Sequence, residues 1–405
     1  MRRFLRAALI LGLLQALGPF AIDMYLPALP SIGRSLRADV DAVQASLMAF
    51  FAALAIGQLF YGPVSDRLGR KPPLYAGLVV FCLASVGCAL ARNVDTLIAF
   101  RFVQGLGACA CFAIPRAIVR DLHTGVDAAR LMSLLMLVFS VAPILAPIAG
   151  SLVDETAGWR AIFWSIAGLT MVGIVMVAVT LPETRPPAAR AAGGLGAALS
   201  GYRILLSDRA FLGLMATGAC GAASFHAYLA GSSFALINHY HLTPRQYSLA
   251  FAVNAMSFIL AAQWTARLGL RFGLRSVVRG AALAYAVTML SLLLLYLAGI
   301  DRVELLIAFL LVGYGFLGLV IPATSVLALD AHGARAGTAS ALIGTGQFVF
   351  GACAIAISGR FTDGTARPMV ATIAACAALA CALAWLSLRD RTGRQPVAPA
   401  ANRPV

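Results

Sequence analysis

Long apolar runs, separated by short charged breaks, fill almost the whole chain. Each run has about the ~20 residues that a helix needs to cross the hydrocarbon core of a bilayer, where a helix satisfies its own backbone hydrogen bonds. The pattern therefore predicts an all-α membrane protein with twelve transmembrane helices. The predicted spans are 5–29, 43–65, 73–91, 97–120, 131–153, 160–181, 211–237, 246–268, 276–298, 303–329, 335–359 and 368–388.

The twelve predicted spans divide into two sets of six. After the sixth span, three prolines end the helix, and a stretch of small residues follows. Two parallel six-helix repeats with a binding site between them are an architecture of secondary transporters. We therefore expect an N-terminal six-helix bundle over 1–181, a cytoplasmic linker over 182–209, a C-terminal six-helix bundle over 210–390 and a disordered cytoplasmic tail over 391–405.

Composition favours the same class of protein. Hydrophobic residues make up 61% of the 405 residues and charged residues only 12%, whereas soluble domains carry about 25% charge. The first apolar run is too long for the core of a cleavable signal and has no small-residue cleavage site, so we expect a retained helix.

The net charge of +15 does not indicate nucleic-acid binding. The arginines lie in the short breaks between apolar runs and form no contiguous basic face, so we expect no nucleic-acid partner. The eight cysteines lie inside apolar runs, without a metal-ligand spacing or a paired framework. We therefore expect neither a metal site nor a bound cofactor.

The distribution of arginine and lysine predicts the orientation. With the N-terminus inside, 21 of the 31 basic residues fall in cytoplasmic segments and eight in outside segments, with Arg101 and Arg116 inside the fourth span. Because basic residues accumulate on the cytoplasmic side, we expect both termini to lie in the cytoplasm of a bacterial cell and the protein to span its inner membrane.

The segment Gly62–Lys71 follows the second span and reads Gly-Pro-Val-Ser-Asp-Arg-Leu-Gly-Arg-Lys. It resembles the signature loop of the major facilitator superfamily. Three further segments narrow the resemblance: Asp23–Pro30, Arg101–Gly107 and Ala142–Gly150, the last of which is similar to the antiporter motif with alanine in place of a common glycine. With Arg116–Asp121 and Gly158–Phe163, they resemble the bicyclomycin-resistance (Bcr/CflA) group of drug:proton antiporters.

The resemblance implies a function as well as a fold. It implies twelve helices in two halves and proton-coupled export of drugs or small metabolites, with protons as the coupling ion. We expect a monomer in the lipid bilayer that acts on a drug-like small molecule. Fold alone does not identify a substrate.

One acidic residue lies well inside a span. Of 16 acidic residues this is Asp23, and a lone intramembrane carboxylate is costly enough to indicate a function. Arg101 is predicted to reach a similar depth, since the first helix runs outward and the fourth inward. We predict that Asp23 carries the coupling proton and that Arg101 tunes it. The structural alternative is that the two form an ion pair that only holds helices together.

Two further sets of residues are predicted to control conformation. A charge cluster of Asp66, Arg70 and Asp121, with Asp66 facing Gly337 and Thr338, is predicted to hold the cytoplasmic ends together and to break when they open. The fifth-span motif is predicted to pack against the eighth span and to seal the interface between the halves. The latch residues are Gly62, Asp66, Arg67, Gly69, Arg70 and Asp121, and the antiporter-motif residues are Pro143, Pro147 and Gly150.

Candidates for substrate contact are polar or aromatic residues within spans. Each of them is also explained by helix packing through interhelical hydrogen bonds. Arg116 has two interpretations, a functional cation or a side chain that extends to the interface. The candidates are Tyr25, Gln104, Phe112, His226, Tyr228, Tyr314 and Gln347.

Four functions compete for this sequence. The first is proton-coupled efflux, and the second is proton-coupled transport of one specific metabolite such as an amino acid or a sugar, including uptake. An enzyme is disfavoured because no His-Glu-x-x-His or Gly-x-Ser-x-Gly motif is present. A channel is disfavoured because no selectivity-filter segment is visible. The Ala142–Gly150 motif favours export.

Overall fold

The structure is a computed structural model that describes residues 2–123, 125–186 and 194–388. These residues form helices and connecting turns and include no strand, and twelve of their helical segments are long and apolar enough to cross a membrane. The prediction of an all-α membrane protein with twelve spans is confirmed. The predicted tail over 391–405 lies outside the described residues.

The helices are consecutive along the chain, and most helical segments of the spans begin or end within a few residues of the predicted bounds. The first half contains α1 (Arg2–Asp23), α2 (Leu29–Leu36), α3 (Val40–Leu68), α4 (Lys71–Leu90), α5 (Val94–Leu122), α6 (Gly125–Ala157) and α7 (Trp159–Thr180). The remainder contains α8 (Gly194–Ser207), α9 (Arg209–Ser233), α10 (Pro244–Phe272), α11 (Leu274–Leu297), α12 (Val303–Asp330), α13 (Ala336–Arg360) and α14 (Arg367–Ser387).

The first span is longer than predicted and is interrupted. The sequence predicts its end at residue 29, but α1 stops at Asp23, a short 3₁₀ turn covers Leu26–Ala28, and α2 continues to Leu36. Proline is tolerated in the first turn of a helix because the N–H that it lacks there has no intrahelical partner. Pro27 and Pro30 occupy such early positions in the 3₁₀ turn and in α2. They therefore interrupt the helix without ending the span.

The two ends of the bundle differ. At the end that carries Asp39, which we call the Asp39 end, Gln44 Nε2 of α3 donates to the carbonyl oxygen of Ala230 in α9 at 3.2 Å. The two halves are therefore in direct contact there. At the opposite end, which we call the Arg70 end, a cavity of about 770 Å³ lies between the halves. The bundle is closed at the Asp39 end and open at the Arg70 end.

The predicted linker contains a helix that the sequence analysis did not include. The 14 residues of α8 lie against α3 and α13, and the Tyr202 hydroxyl donates to the Leu59 carbonyl oxygen at 2.9 Å. Small and apolar residues made this segment look like an unstructured connection, although alanine and leucine are strong helix formers. The linker thus touches both halves at the Arg70 end.

Candidate functional site

The guanidinium of Arg101 is fully buried inside the first half. It donates to the carbonyl oxygen of Ala21 at 3.1 Å and to Oε1 of Gln104 at 2.6 Å. Gln104 Nε2 in turn donates to Ser85 Oγ at 2.8 Å. Neutral acceptors on α1 and α5 therefore hold this cation, and Ser85 of α4 holds Gln104, a candidate for substrate contact, in place beside it.

Aromatic rings surround the same guanidinium. Its central carbon lies 4.5 Å from the ring centroid of Tyr25, 4.3 Å from that of Phe50 and 5.9 Å from that of Phe163. A cation over an aromatic face is attracted by the electrons of the ring, most strongly where water is excluded. The Tyr25 hydroxyl also shares a 2.6 Å hydrogen bond with Ser46 Oγ. Tyr25 therefore belongs to the packing around Arg101 in this conformation.

Asp23 is buried at the C-terminal end of α1, where the first span breaks. Within the described part of the chain, no ion pair of 4.0 Å or less joins its carboxylate to Arg101. The carboxylate lies near Tyr247 of α10, in the second half. The alternative of a structural ion pair is therefore not realised here. The proposed tuning by Arg101 stays a prediction.

The antiporter motif lies along α6 and makes two different contacts. The Pro147 carbonyl oxygen accepts a hydrogen bond of 2.9 Å from Ser248 Oγ of α10, so the fifth span does meet the eighth. Gly150, however, packs on the first span, since a Cβ built on it would lie 2.1 Å from the Met24 carbonyl oxygen. The prediction that the whole motif faces the eighth span is wrong for Gly150. Pro143 lies half-buried on α6, one turn before Pro147.

The charged residues of the signature loop meet as the sequence predicts. Arg70 Nη1 lies 2.8 Å from Asp66 Oδ1, and Arg70 Nε lies 2.7 Å from Asp121 Oδ2. One buried guanidinium therefore joins the ends of α3 and α5. Gly69 has a φ of +94°, a conformation that side chains disfavour, and so it allows the turn between α3 and α4.

Two residues of the linker complete this cluster, and the sequence did not predict their contribution. The carboxylate of Glu183 accepts the backbone N–H groups of Arg70 and Lys71 at 2.9 and 3.1 Å, at the N-terminus of α4. Arg185 Nη1 lies 3.0 Å from Asp66 Oδ1. Burial raises the pKa of Glu183, but the backbone N–H donors outweigh it and leave that pKa below its usual value. In the sequence, the only feature that could have pointed to Glu183 is an acidic residue that lies between two prolines.

The loop cluster and the open cavity coexist. Asp66 lines the cavity from the first half, and Gly337 and Thr338 line it from the second. The expectation that opening this end breaks the cluster is not met, because its charged partners all belong to the first half and the start of the linker. Gly62 lines the cavity and has open space where a Cβ would be, and Arg67 is exposed.

Aromatic side chains from both halves meet near the middle of the bundle. The His226 ring of α9 lies 4.3 Å from Phe51 of α3 and 5.8 Å from Phe348 of α13. Phe51 and Phe348 stack at 5.8 Å, and Phe112 lies 6.5 Å from Phe348. The predicted residues Phe112 and His226 are thus brought together by two phenylalanines that the sequence analysis did not select. Phe112 also lines the cavity.

The remaining candidates lie elsewhere in the second half. Tyr228 and Tyr314 form a ring contact at 5.3 Å, and Asn254 Nδ2 donates to the Tyr228 hydroxyl at 3.1 Å. Both tyrosines are fully buried among α9, α10 and α12, so packing accounts for them. Gln347 is half-buried on α13, next to Phe348.

Comparison with known proteins assigns the class of this bundle. The sequence profile of the Major Facilitator Superfamily matches residues 11–355, and the chain belongs to that family. It is 35% identical over 394 residues to a protein of Bacillus subtilis (strain 168) named "Uncharacterized MFS-type transporter YdgK", covering 96% of this chain and 97% of that one. It is 30% identical over 387 residues to the "Bicyclomycin resistance protein homolog" of Haemophilus influenzae, covering 95% and 96%.

Solved structures show the same fold. The Escherichia coli xylose transporter XylE, in a partially occluded inward-open conformation, superposes with a TM-score of 0.73 at 14% identity over 98% of this chain and 100% of that one. The chain is therefore a multi-pass membrane transporter of small molecules and not an enzyme.

Proposed function

We propose that this transporter is a proton-coupled antiporter that exports drugs or small metabolites across the bacterial inner membrane. The observation that carries the proposal is the position of Asp23. Asp23 is a buried carboxylate at a break in a transmembrane span. Arg101, the cation that the sequence predicts beside it, is hydrogen-bonded to Ala21 and Gln104 instead. Such a carboxylate can gain and lose a proton during a transport cycle.

The surroundings of Asp23 connect it to the motion between the halves. Its neighbour Met24 is in backbone contact with Gly150, and its electrostatic neighbour Tyr247 belongs to the second half. Met24 and Gly150 both belong to the first half, so rocking of one half against the other preserves their contact and changes the distance from Asp23 to Tyr247. This supports a mechanism in which opening to either side alters the access of water to the carboxylate and therefore its proton occupancy.

Orientation gives the direction of the cycle. We place the basic loops in the cytoplasm, so that the open Arg70 end faces inward. The Asp39 end, closed by contacts such as Gln44 with Ala230, then faces outward. Substrate would enter the cavity from the cytoplasm. Exchange for an incoming proton at Asp23 would then drive it out. The name of the Haemophilus influenzae relative supports an antibiotic as one kind of substrate.

Transport into everted membrane vesicles tests the proposal. Bicyclomycin is the first probe, and the vesicle lumen is made acidic so that a proton gradient points outward across the everted membrane. We expect accumulation above the external concentration, which collapses when the gradient is dissipated. Accumulation that is indifferent to the gradient excludes proton coupling. Accumulation only when the gradient is reversed indicates symport, and a panel of drugs and amino acids distinguishes a broad exporter from one for a specific metabolite.

A further inference from the structure

The cavity at the Arg70 end is lined by an excess of cations. Its acidic lining residue in the described chain is Asp66, and that carboxylate already accepts hydrogen bonds from Arg70 and Arg185. Arg116 and Arg120 line the same cavity, and neither has a carboxylate within ion-pair distance among the residues described. The free charge that this cavity presents to a solute is therefore positive.

The surroundings of Arg116 argue against the interpretation that its side chain only extends to the membrane interface. A snorkelling arginine keeps its guanidinium in water, but the Nε of Arg116 is buried, and in the described part of the chain it has no hydrogen-bond partner. Its charged neighbour is Arg120, one helical turn away, which repels it. A buried donor without a partner next to a like charge is unfavourable in the empty cavity. A bound anion offsets the repulsion between the two guanidinium groups.

The same wall of the cavity offers an aromatic surface. Phe112 lines the cavity one turn before Arg116 on α5, and its ring lies 6.5 Å from Phe348 of the opposite half. Phe348 in turn stacks on Phe51 at 5.8 Å. A flat apolar group in the cavity can rest on the Phe112 ring in an offset or edge-to-face arrangement, with Phe348 and Phe51 packed behind it. The cationic groups of Arg116 and Arg120 and the aromatic ring of Phe112 are therefore adjacent on one helix.

We infer that the transported substrate is an amphipathic organic anion, whose charged group binds between Arg116 and Arg120 and whose aromatic body lies against Phe112. This inference rests on the proposed export function and adds the class of substrate to it. Exchange of a monoanion for one incoming proton moves two charges per cycle, so a membrane potential that is negative inside drives it more strongly than exchange of a neutral compound.

Binding of three probes with one common ring system tests the charge preference. The full-length protein is placed in nanodiscs of phosphatidylcholine, and calorimetry measures the affinities of 1-naphthalenesulfonate, 1-naphthamide and 1-naphthylmethylammonium. We expect the anion to bind about ten-fold or more tightly than the other two, which is the size of a charge-assisted hydrogen bond expressed as an affinity ratio. Equal affinities, or preference for the cation, overturn the inference.

Variants of Arg116 and Arg120 test whether these two residues cause the preference for the anion. Arg116→Gln is expected to weaken binding of the sulfonate by about ten-fold or more and to leave the amide unchanged, whereas Arg116→Lys keeps the preference for the anion. Arg120 is exposed, so Arg120→Gln preserves the fold and is expected to weaken the sulfonate several-fold. The matched control is Arg130→Gln, whose side chain is 71% exposed outside the cavity lining. Sulfonate binding that is unchanged in both Arg116→Gln and Arg120→Gln overturns the site.

A lipid headgroup is the other source of an anion with an apolar body. Replacing one fifth of the phosphatidylcholine with phosphatidylglycerol distinguishes the two sources. An unchanged affinity for the sulfonate supports a soluble substrate, whereas a loss in proportion to the phosphatidylglycerol identifies a lipid as the occupant and overturns the inference. Failure of the export proposal is recognised separately. Proton-driven transport of neutral or cationic drugs without transport of the sulfonate would preserve the export function and overturn the anion preference. Binding of the sulfonate without proton-driven transport of any probe would preserve the anion site and overturn the export function.

Discussion

Gly150 lies directly against the backbone of Met24, so close that a Cβ on Gly150 would be 2.1 Å from the Met24 carbonyl oxygen. Close approach of this kind is possible only without a side chain, and small residues at helix interfaces of membrane proteins commonly serve it. The contact joins α6 to the break in the first span, one residue after Asp23. Movement of α6 is thereby transmitted to the position of the intramembrane carboxylate.

Substitution of Gly150 tests this contact. Gly150→Ala forces the two backbones apart, and Gly150→Leu does so more strongly, since overpacking in a close-packed interior costs typically ~1–3 kcal/mol. We expect a lower melting temperature, proton-driven transport reduced at least several-fold, and a membrane that leaks protons if the helices separate. Gly168→Ala is the control, because nothing lies within 4 Å of its Cβ position. Normal transport and a tight membrane in Gly150→Leu would show that the contact is dispensable.

Glu183 is expected to stabilise the loop in a pH-dependent manner. Because its folded pKa lies below its usual value, its stabilising effect is complete above the ordinary glutamate pKa of about 4.5 and is lost as the pH falls through the lower folded value. Glu183→Ala should therefore melt at a lower temperature than the wild type at pH 7, and the difference should shrink at pH 3.5. Exposed Glu155 gives the control variant Glu155→Ala. A difference that does not change with pH would contradict the role of the carboxylate.

Neutralising Asp66 is expected to destabilise the loop cluster at the Arg70 end. Asp66 Oδ1 lies 2.8 Å from Arg70 and 3.0 Å from Arg185, so Asp66→Asn weakens two ion pairs while Asp121 retains Arg70. Because the charged partners of Asp66 belong to the first half and the start of the linker, we predict normal expression, a lower melting temperature and an unchanged population of the state that is open at this end. Spin-label distances between Leu68 and Gly333, in opposite halves, measure that population. A shift of the distance distribution toward the open state would show that the cluster also acts as a latch between the halves.

Much of the architecture follows from local properties that the sequence displays. Span lengths give the twelve helices, and Asp66 and Arg70 meet because they flank the short turn at Gly69 that joins α3 to α4. Glu183 could not be predicted, since its backbone partner Arg70 is 113 residues away in the chain. The hydrogen-bond partners of Arg101 could not be predicted either. Equal depth of two residues along two helices does not determine which way their side chains point. Gln104 and three aromatic rings occupy the place expected for Asp23.

The orientation is testable without knowledge of the substrate. The distribution of arginine and lysine predicts that reporter fusions at Gly193 and Pro399, both outside the described residues, report the cytoplasm and that one at Ala38 reports the outside. Cysteine substitution at Ala38 with an impermeant label provides an independent check. Labelling of Gly193→Cys from outside would reverse the orientation and the assignment of the open end to the cytoplasm.

The most direct test of the account is uphill transport by Asp23→Asn in proteoliposomes. A pH difference of one unit supplies roughly 1.4 kcal/mol per proton, and the wild type should convert it into about ten-fold accumulation of a substrate when one proton is exchanged. Exposed Asp95 gives the control Asp95→Asn, which should accumulate like the wild type. Asp23→Asn should bind substrate and equilibrate it across the membrane, but accumulate none. If Asp23→Asn still accumulates substrate against its gradient when the pH difference is imposed, Asp23 is not the proton carrier and the proposed coupling is wrong.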